Sequence, residues 1–330
     1  KRQDNTAAFT AGIAEATARN REFIIVGGRY LLAGQVDMDD LDGFTVTGQG
    51  GSSILFPVSS LTDNLFDCSG CFDGEYSHFT IDGYYLRKPS LMLSAIYGDG
   101  TDARPTYGNI RVRGLRLKNW EQQGLGIGAN IGKTVEDIEY LDNYFENCGV
   151  GQLDGSFGGG PIDTGSGGTK RRYKLMRNKI RFAASSTLHV DAIFCGHGKN
   201  YDFLVCDNQI FDPSGHGIQL HARPFADEDT GCLFDGAIVE GNLIRGAGTS
   251  AIGNLGASRC SIVGNTIIDP CSIVGHSTSA ITISHAITDQ DPVEVNGDVV
   301  DLHIANNIIT DTRVTPVSYT HLRAHETKAN

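Results

Sequence analysis

Hydrophobic residues in this chain fall in short alternating runs broken by glycine, asparagine and aspartate, and beyond residue 22 almost none recur at helical spacing. The runs share one form: a short strand, an asparagine, a second short strand, a glycine-rich turn, then a third strand. The asparagine lines are 137-DIEYLDNYFENC-148, 173-YKLMRNKIRF-182, 202-DFLVCDNQIFD-212, 236-GAIVEGNLIRG-246, 260-CSIVGNTIID-269 and 302-LHIANNIITD-311. An earlier copy, 109-NIRVRGLRLKN-119, has glycine near that turn. Asn143, Asn178, Asn208, Asn242, Asn265 and Asn307 stand 35, 30, 34, 23 and 42 residues apart. A fixed motif with variable insertions at such a period predicts a solenoid whose turns stack at the strand spacing of about 4.8 Å. Asparagine suits the bend because it tolerates the left-handed conformation and its amide can bond to asparagines stacked above and below. Hairpin dipeptides, which an antiparallel sandwich would need, are scarce, and Asn296-Gly297 stands alone. The expected fold is all-β, a right-handed parallel β-helix.

Residues 4–20 are the exception. Ala7, Ala8, Ala11 and Ala14 or Ile13 share a face behind Asp4 or Asn5 as N-cap, which predicts a short amphipathic helix. The expected organisation is a helical segment over 1–22 and the solenoid over 23–316. The last stretch, 317-VSYTHLRAHETKAN-330, breaks the strand pattern and reads as a translated sequencing adapter, to be left out of the fold.

The order DNTAAFTAGIAEA, then 23-FIIVGGRYLL-32, then 44-FTVTGQGGSSILF-56 resembles the opening of the pectate-lyase-like β-helix superfamily. That superfamily includes phage tailspike depolymerases and polysaccharide-degrading enzymes. The resemblance implies that the helix caps the open end of the solenoid, sealing apolar surface and a sheet edge. It also implies a polysaccharide partner and an extracellular location, or a virion-associated homotrimer in the tailspike case.

Composition narrows the function classes. The 42 glycines sit singly between apolar runs, as turn residues do. A net charge of −12 argues against a broad nucleic-acid surface, and no run is long enough to suggest a membrane span. Of the eight cysteines only Cys68 and Cys71 have metal-type spacing, with no second pair to complete a site, so the thiols read as buried apolar groups and no metal is expected.

Candidate chemistry gathers where stacking brings distant lines together. If Asn178 and Asn208 occupy equivalent turns, 191-DAIFC-195 and 216-HGIQL-220 lie on adjacent coils, followed by 250-SAIGN-254 and 279-SAITI-283. With 154-DGSF-157 on the preceding coil, this register stacks Asp154, Asp191 and His216, and then Ser250 and Ser279. It requires a bend just before Ile193 and Ile218. The alternative register turns His189, Asp191, Gln219, His221 and Arg223 outward together. Asp37, Asp39, Asp40 and Asp42 could be a calcium cluster but read better as a solvated turn. Asp163, in the glycine-rich insertion, could close over a substrate or have no role, and Trp120 could be a sugar platform but reads better as packing.

The line 213-PSGHGIQL-220 resembles the Gly-His-Gly line of polygalacturonases, with His216 at the histidine and Asp191 at one aspartate of the preceding pair. Val190 stands where the second aspartate would be, and the Arg-x-Lys line that grips a substrate carboxylate is absent, with Arg223 nearby. The resemblance implies a catalytic set of Asp154, Asp191 and His216, with His189, Gln219, His221 and Arg223 binding substrate. Two carboxyl groups across a glycosidic bond, one protonated and one activating water, are what hydrolysis needs. A hydrolase needs no cofactor. A lyase would use a histidine or arginine base and Ca²⁺ or arginine to neutralise the uronate. The leading expectation is a depolymerase, hydrolase or lyase, of an anionic, uronate-containing polysaccharide. A non-catalytic glycan-binding tailspike or adhesin stalk is the alternative. A uronate C5-epimerase ranks below both, because the Tyr-Gly-Phe-Asp-Pro-His line of that family is missing from 120-WEQQGLGIGAN-130.

Overall fold

The computed structural model describes residues 3–57, 64–83, 94–120, 123–149, 160–182, 190–222, 233–272, 279–284 and 299–313. Among these residues, parallel strands form three sheets of 11, 10 and 9 members. Sheet 1 begins with Phe23–Ile25, sheet 2 with Gly28–Leu32 and sheet 3 with Val36–Asp37. Successive coils supply one strand to each sheet in turn, so strand neighbours within a sheet lie a whole coil apart in sequence. This is a parallel β-helix.

Alternation within each short strand sends one row of side chains into the solenoid, and stacking aligns those rows from coil to coil. In sheet 2, Leu117, Phe145, Ile180, Ile210, Ile244 and Ile267 share one register line and are fully buried. Burial of each such side chain contributes about 1.5–3 kcal/mol. Ile309 ends the line on the last described coil and is 44% exposed.

The asparagines form a buried ladder at the corner between sheets 1 and 2. Oδ1 of Asn208 accepts the backbone N–H and the amide of Asn178, at 2.9 and 3.1 Å, while the Asn208 amide donates to Leu175 O and to Oδ1 of Asn242. The same bonds join Asn143 to Asn178, Asn242 to Asn265 and Asn265 to Asn307. The left-handed conformation expected of these asparagines belongs instead to the residue before each: Asp142, Arg177, Asp207, Gly241, Gly264 and Asn306 have φ between 55° and 66°. The preceding residue makes the bend, and the asparagine satisfies the backbone groups that the bend exposes.

The N-terminal helix runs Thr6–Ala18. Its buried face is Phe9 and Ile13, one turn apart, and the alanines expected on that face are exposed at positions 7, 8, 11 and 14. Phe9 packs edge-on against Phe23 and Tyr30, at 5.3 and 5.6 Å between ring centres, which ties the helix to the first coil. Larger apolar side chains outweigh the alanine stripe because burial energy follows area.

Outside the core, sheet 1 carries a lattice of paired charges. Arg111 meets Glu139 at 2.7 Å, Arg113 meets Glu75 at 2.8 Å, and Lys174 meets Glu139 at 2.7 Å.

Candidate active site

Sheet 3 positions the site. Ile162, Ile193, Ile218, Ile252 and Ile281 share one register line and point into the core. Ala192 and Ile193 are both fully buried, so strict alternation breaks between them, and the chain bends at Ala192 and again at Gly217. The bend places Asp191, His216, Ser250 and Ser279 in line, two residues ahead of the isoleucines.

His216 makes two contacts with one oxygen. Its backbone N–H donates to Oδ1 of Asp191 at 2.6 Å, and its ring Nδ1 lies 3.0 Å from that same oxygen. The side chains are 14% and 10% exposed, so the pair is partly screened from water while still reachable. Two glycines make room for it. A Cβ on Gly215 would collide with Oδ1 of Asp191 and with the Val190 carbonyl. A Cβ on Gly253 would stand 2.9 Å from the His216 ring.

The coil before Asp191 enters sheet 3 as Ile162–Asp163, with Ile162 opposite Ile193 and Asp163 opposite Phe194. The residue level with Asp191 is therefore Gly160, not Asp154 as the expected register had it; Asp154 lies outside the described residues, as do His189 and Arg223. The carboxylate that this coil brings to the described site is Asp163. Its Oδ2 accepts the Gln123 amide at 3.0 Å and its Oδ1 accepts the Gly165 N–H at 2.7 Å. Burial pushes the Asp163 carboxyl up to about 6, the Asp191 charge adds to the rise, and the two hydrogen bonds and Lys170 oppose it. Lys170 is itself fully buried, and its ammonium donates to the carbonyls of Ser166 and His197, tying two adjacent turns behind the site.

Gln219 and His221 follow His216 along the next strand, Ile218–His221, and each is 8% exposed. Gln219 stands opposite Phe194. The rings of Phe194, His197 and His221 cluster beside it, with centres 5.2 to 5.6 Å apart. The sequence placed Asp191, His216, Gln219 and His221 in this neighbourhood; it offered Asp163 only as a residue that could close over a substrate, and gave no sign of Gln123, Lys170, Phe194 or His197.

The acidic turn near the N-terminus is engaged in local bonds. Asp42 pairs with Arg104 at 2.9 Å and Oδ1 of Asp40 accepts the Thr101 hydroxyl at 2.7 Å, while burial and then the charges of Asp67, Asp37 and Asp40 push Asp39 up to about 6. Among the described residues no group of three or more His, Cys, Asp or Glu is arranged to hold a metal ion, and no helix is long and apolar enough to cross a membrane. Trp120 is 3% exposed and packs in the core.

Sheet 3 thus carries a carboxyl raised by burial and by the Asp191 charge, and a second carboxylate held by His216. No family profile and no curated protein sequence matches the chain. Among solved structures it is similar to the endo-xylogalacturonan hydrolase of Aspergillus tubingensis, with a TM-score of 0.57 at 12% identity over 96% of this chain and 95% of that one. It is similar to the Dettilon tailspike protein, with a TM-score of 0.53 at 15% identity over 94% of this chain and 59% of that one. The tailspike of Escherichia coli bacteriophage HK620, solved as a mutant with a pentasaccharide, gives a TM-score of 0.53 at 12% identity, over 96% of this chain and 61% of that one. The chain thus spans about three fifths of these two tailspike chains. It is a right-handed parallel β-helix, the fold of these tailspikes and of that hydrolase.

Proposed function

We propose that the chain is a glycoside hydrolase that cleaves a polysaccharide lying along the outer face of sheet 3. The observation that carries this reading is the Asp163–Asp191 relationship: one carboxyl raised to about 6 by burial and by its neighbour's charge, the other held by His216. Asp163, protonated in mildly acidic solution, donates to the glycosidic oxygen as the bond to the departing sugar breaks. Asp191 takes the opposite role, drawing a proton from the attacking water or meeting the developing positive charge at the anomeric carbon. His216 is a positioning residue that fixes the Asp191 oxygen, while Gln219 and His221 offer polar contacts to the sugar. The fold shared with a polysaccharide hydrolase and with tailspikes supports a glycan substrate and a place outside the cell or on a virion, where a homotrimer would be the tailspike-like assembly.

The described strands of sheet 3 carry no lysine or arginine on their outward positions. A uronate carboxylate would meet Gln219 and the imidazoles there, so the charge of the sugar is a variable for experiment. The test is a screen of purified protein against pectate, alginate, hyaluronan, neutral glucans and bacterial capsules, reading reducing ends and absorbance near 235 nm in parallel. Reducing ends without new absorbance are expected. New absorbance would mean elimination and make a histidine the base; silence on both channels would leave glycan binding without cleavage.

A further inference from the structure

The outer face of sheet 2 differs in charge from the other two. Its strands place Arg116, Tyr144, Lys179, Gln209 and Leu243 in one outward line, and Lys118, Glu146, Arg181, Phe211 and Arg245 in the next. Read up the solenoid, a strand bearing two cations is followed by one bearing an aromatic ring, then cations again, then a ring, then Arg245. The cations therefore recur on every second strand, about 10 Å apart at two strand spacings.

These cations lie over rings. The Arg116 guanidinium is 5.0 Å from the Tyr144 ring centre, and Arg181 and Lys179 are 5.2 and 6.0 Å from that of Phe211. On sheet 1, by contrast, Arg111, Arg113 and Lys174 are each neutralised by a glutamate within 3 Å. Among the described residues the carboxylates on outward positions of sheet 2 are Asp82 and Glu146, the latter 3.6 and 3.7 Å from Arg116 and Lys118; Asp212 and Asp269 stand at the corner beyond the strands. A cationic, ring-studded face on a chain of net charge −12 is a local exception to the global field.

We propose that this face is a second glycan-binding surface, separate from the candidate active site, which takes an acidic polysaccharide carrying one carboxylate for every two sugar rings. The apolar faces of the sugars pack on Tyr144 and Phe211, and the carboxylates meet the cationic strands between them. The period decides between polyanions. A nucleic-acid strand presents a phosphate about every 3.4 Å, so cations about 10 Å apart would leave most phosphates unmatched. An alternating polysaccharide of uronate and neutral sugar has its charge at the spacing of two linked rings. Sheet 3, which shows Asp37, Asp67 and Asp163 outward and no outward lysine or arginine on its described strands, offers that polymer no such match.

The test uses the full chain and four probes at low salt: hyaluronan oligosaccharides, oligogalacturonate of equal length, a neutral glucan oligosaccharide and oligo-dT. Fluorescence anisotropy reads binding, and sedimentation reads self-association. Hyaluronan oligosaccharides are expected to bind at least tenfold more tightly than the other three. The double variant Lys179→Glu, Arg181→Glu is expected to lose at least tenfold of that affinity, and the milder Lys179→Gln, Arg181→Gln severalfold, with unchanged melting temperature. Asp163→Asn should bind as wild type does, so failure of the catalytic reading leaves this one standing. No binding, binding indifferent to the double variant, tighter binding of oligo-dT, or self-association abolished by the double variant would each overturn the proposal, the last by making a second copy of the chain the occupant.

Discussion

The backbone N–H and the ring Nδ1 of His216 both converge on one oxygen of Asp191, at 2.6 and 3.0 Å, across adjacent coils of sheet 3. Two anchors on a single oxygen fix the position of the carboxylate. His216→Ala keeps the backbone anchor and removes the ring anchor. It is expected to lower kcat about tenfold to a hundredfold, while Asp191→Asn lowers it by about 10² to 10⁴. Steady-state rates of reducing-end release check both, and equal losses in the two variants would place the histidine in the chemistry itself.

Room around that pair depends on two glycines. A Cβ on Gly253 would stand 2.9 Å from Cδ2 and 3.1 Å from Nε2 of His216, so Gly253→Ala should tilt the ring. Small misplacements of this kind can cost up to about a hundredfold in rate. The expected result is a rate loss of about tenfold or more with an unchanged circular dichroism spectrum and melting temperature.

The raised carboxyl of Asp163 has a consequence for stability. Its ordinary value is 3.8 and the folded value is about 6, so between those pH values the folded chain holds a proton that the unfolded chain has released. The contribution is fully present below pH 4 and declines as pH rises to about 6, by about 2 kcal/mol for this partly buried group. Asp163→Asn is therefore expected to raise the melting temperature above pH 6 and to leave it almost unchanged near pH 4. Asp39 shifts in the same direction, so a residual slope persists in the variant. The wild-type rate should fall as pH rises through about 6, where the proposed donor loses its proton.

The asparagine ladder sets a different expectation. Asn208 is fully buried, and its loss removes the acceptor of the Asn178 backbone N–H, one of the two bonds of the Asn178 amide and the side-chain donor to the Leu175 carbonyl. Asn208→Ala should cost on the order of 3 kcal/mol, from more than one unmade buried hydrogen bond. Asn307→Ala, on the last and partly exposed rung, should cost about 1 kcal/mol because water can replace the lost contacts. Urea denaturation of the two variants measures the difference.

How much of this could be read in the sequence varied with local regularity. The solenoid was legible because Asn143 to Asn307 mark equivalent corners whatever the insertions between them. The Asp191–His216 pairing was legible because DAIFC and HGIQL repeat the same apolar pattern. Asp163 was not, because its strand has two residues and sits in a glycine-rich stretch with no alternation to count by. The role of asparagine at the corner was half legible: its amide bonds follow from stacking, but the left-handed residue before it is aspartate, arginine, glycine or asparagine in different coils. At the helix, counting alanines obscured Phe9 and left Ile13 as an alternative to Ala14, although the larger areas of these two residues decided which face is buried.

The most direct test of the account is reducing-end release by wild type and Asp163→Asn, side by side, from whichever polysaccharide the wild type cleaves best. The variant is expected to lose at least a hundredfold in rate while folding normally and binding the same polymer. A variant that cleaves as fast as wild type would contradict the assignment of Asp163 as the acid and, with it, the hydrolase built on the Asp163–Asp191 pair.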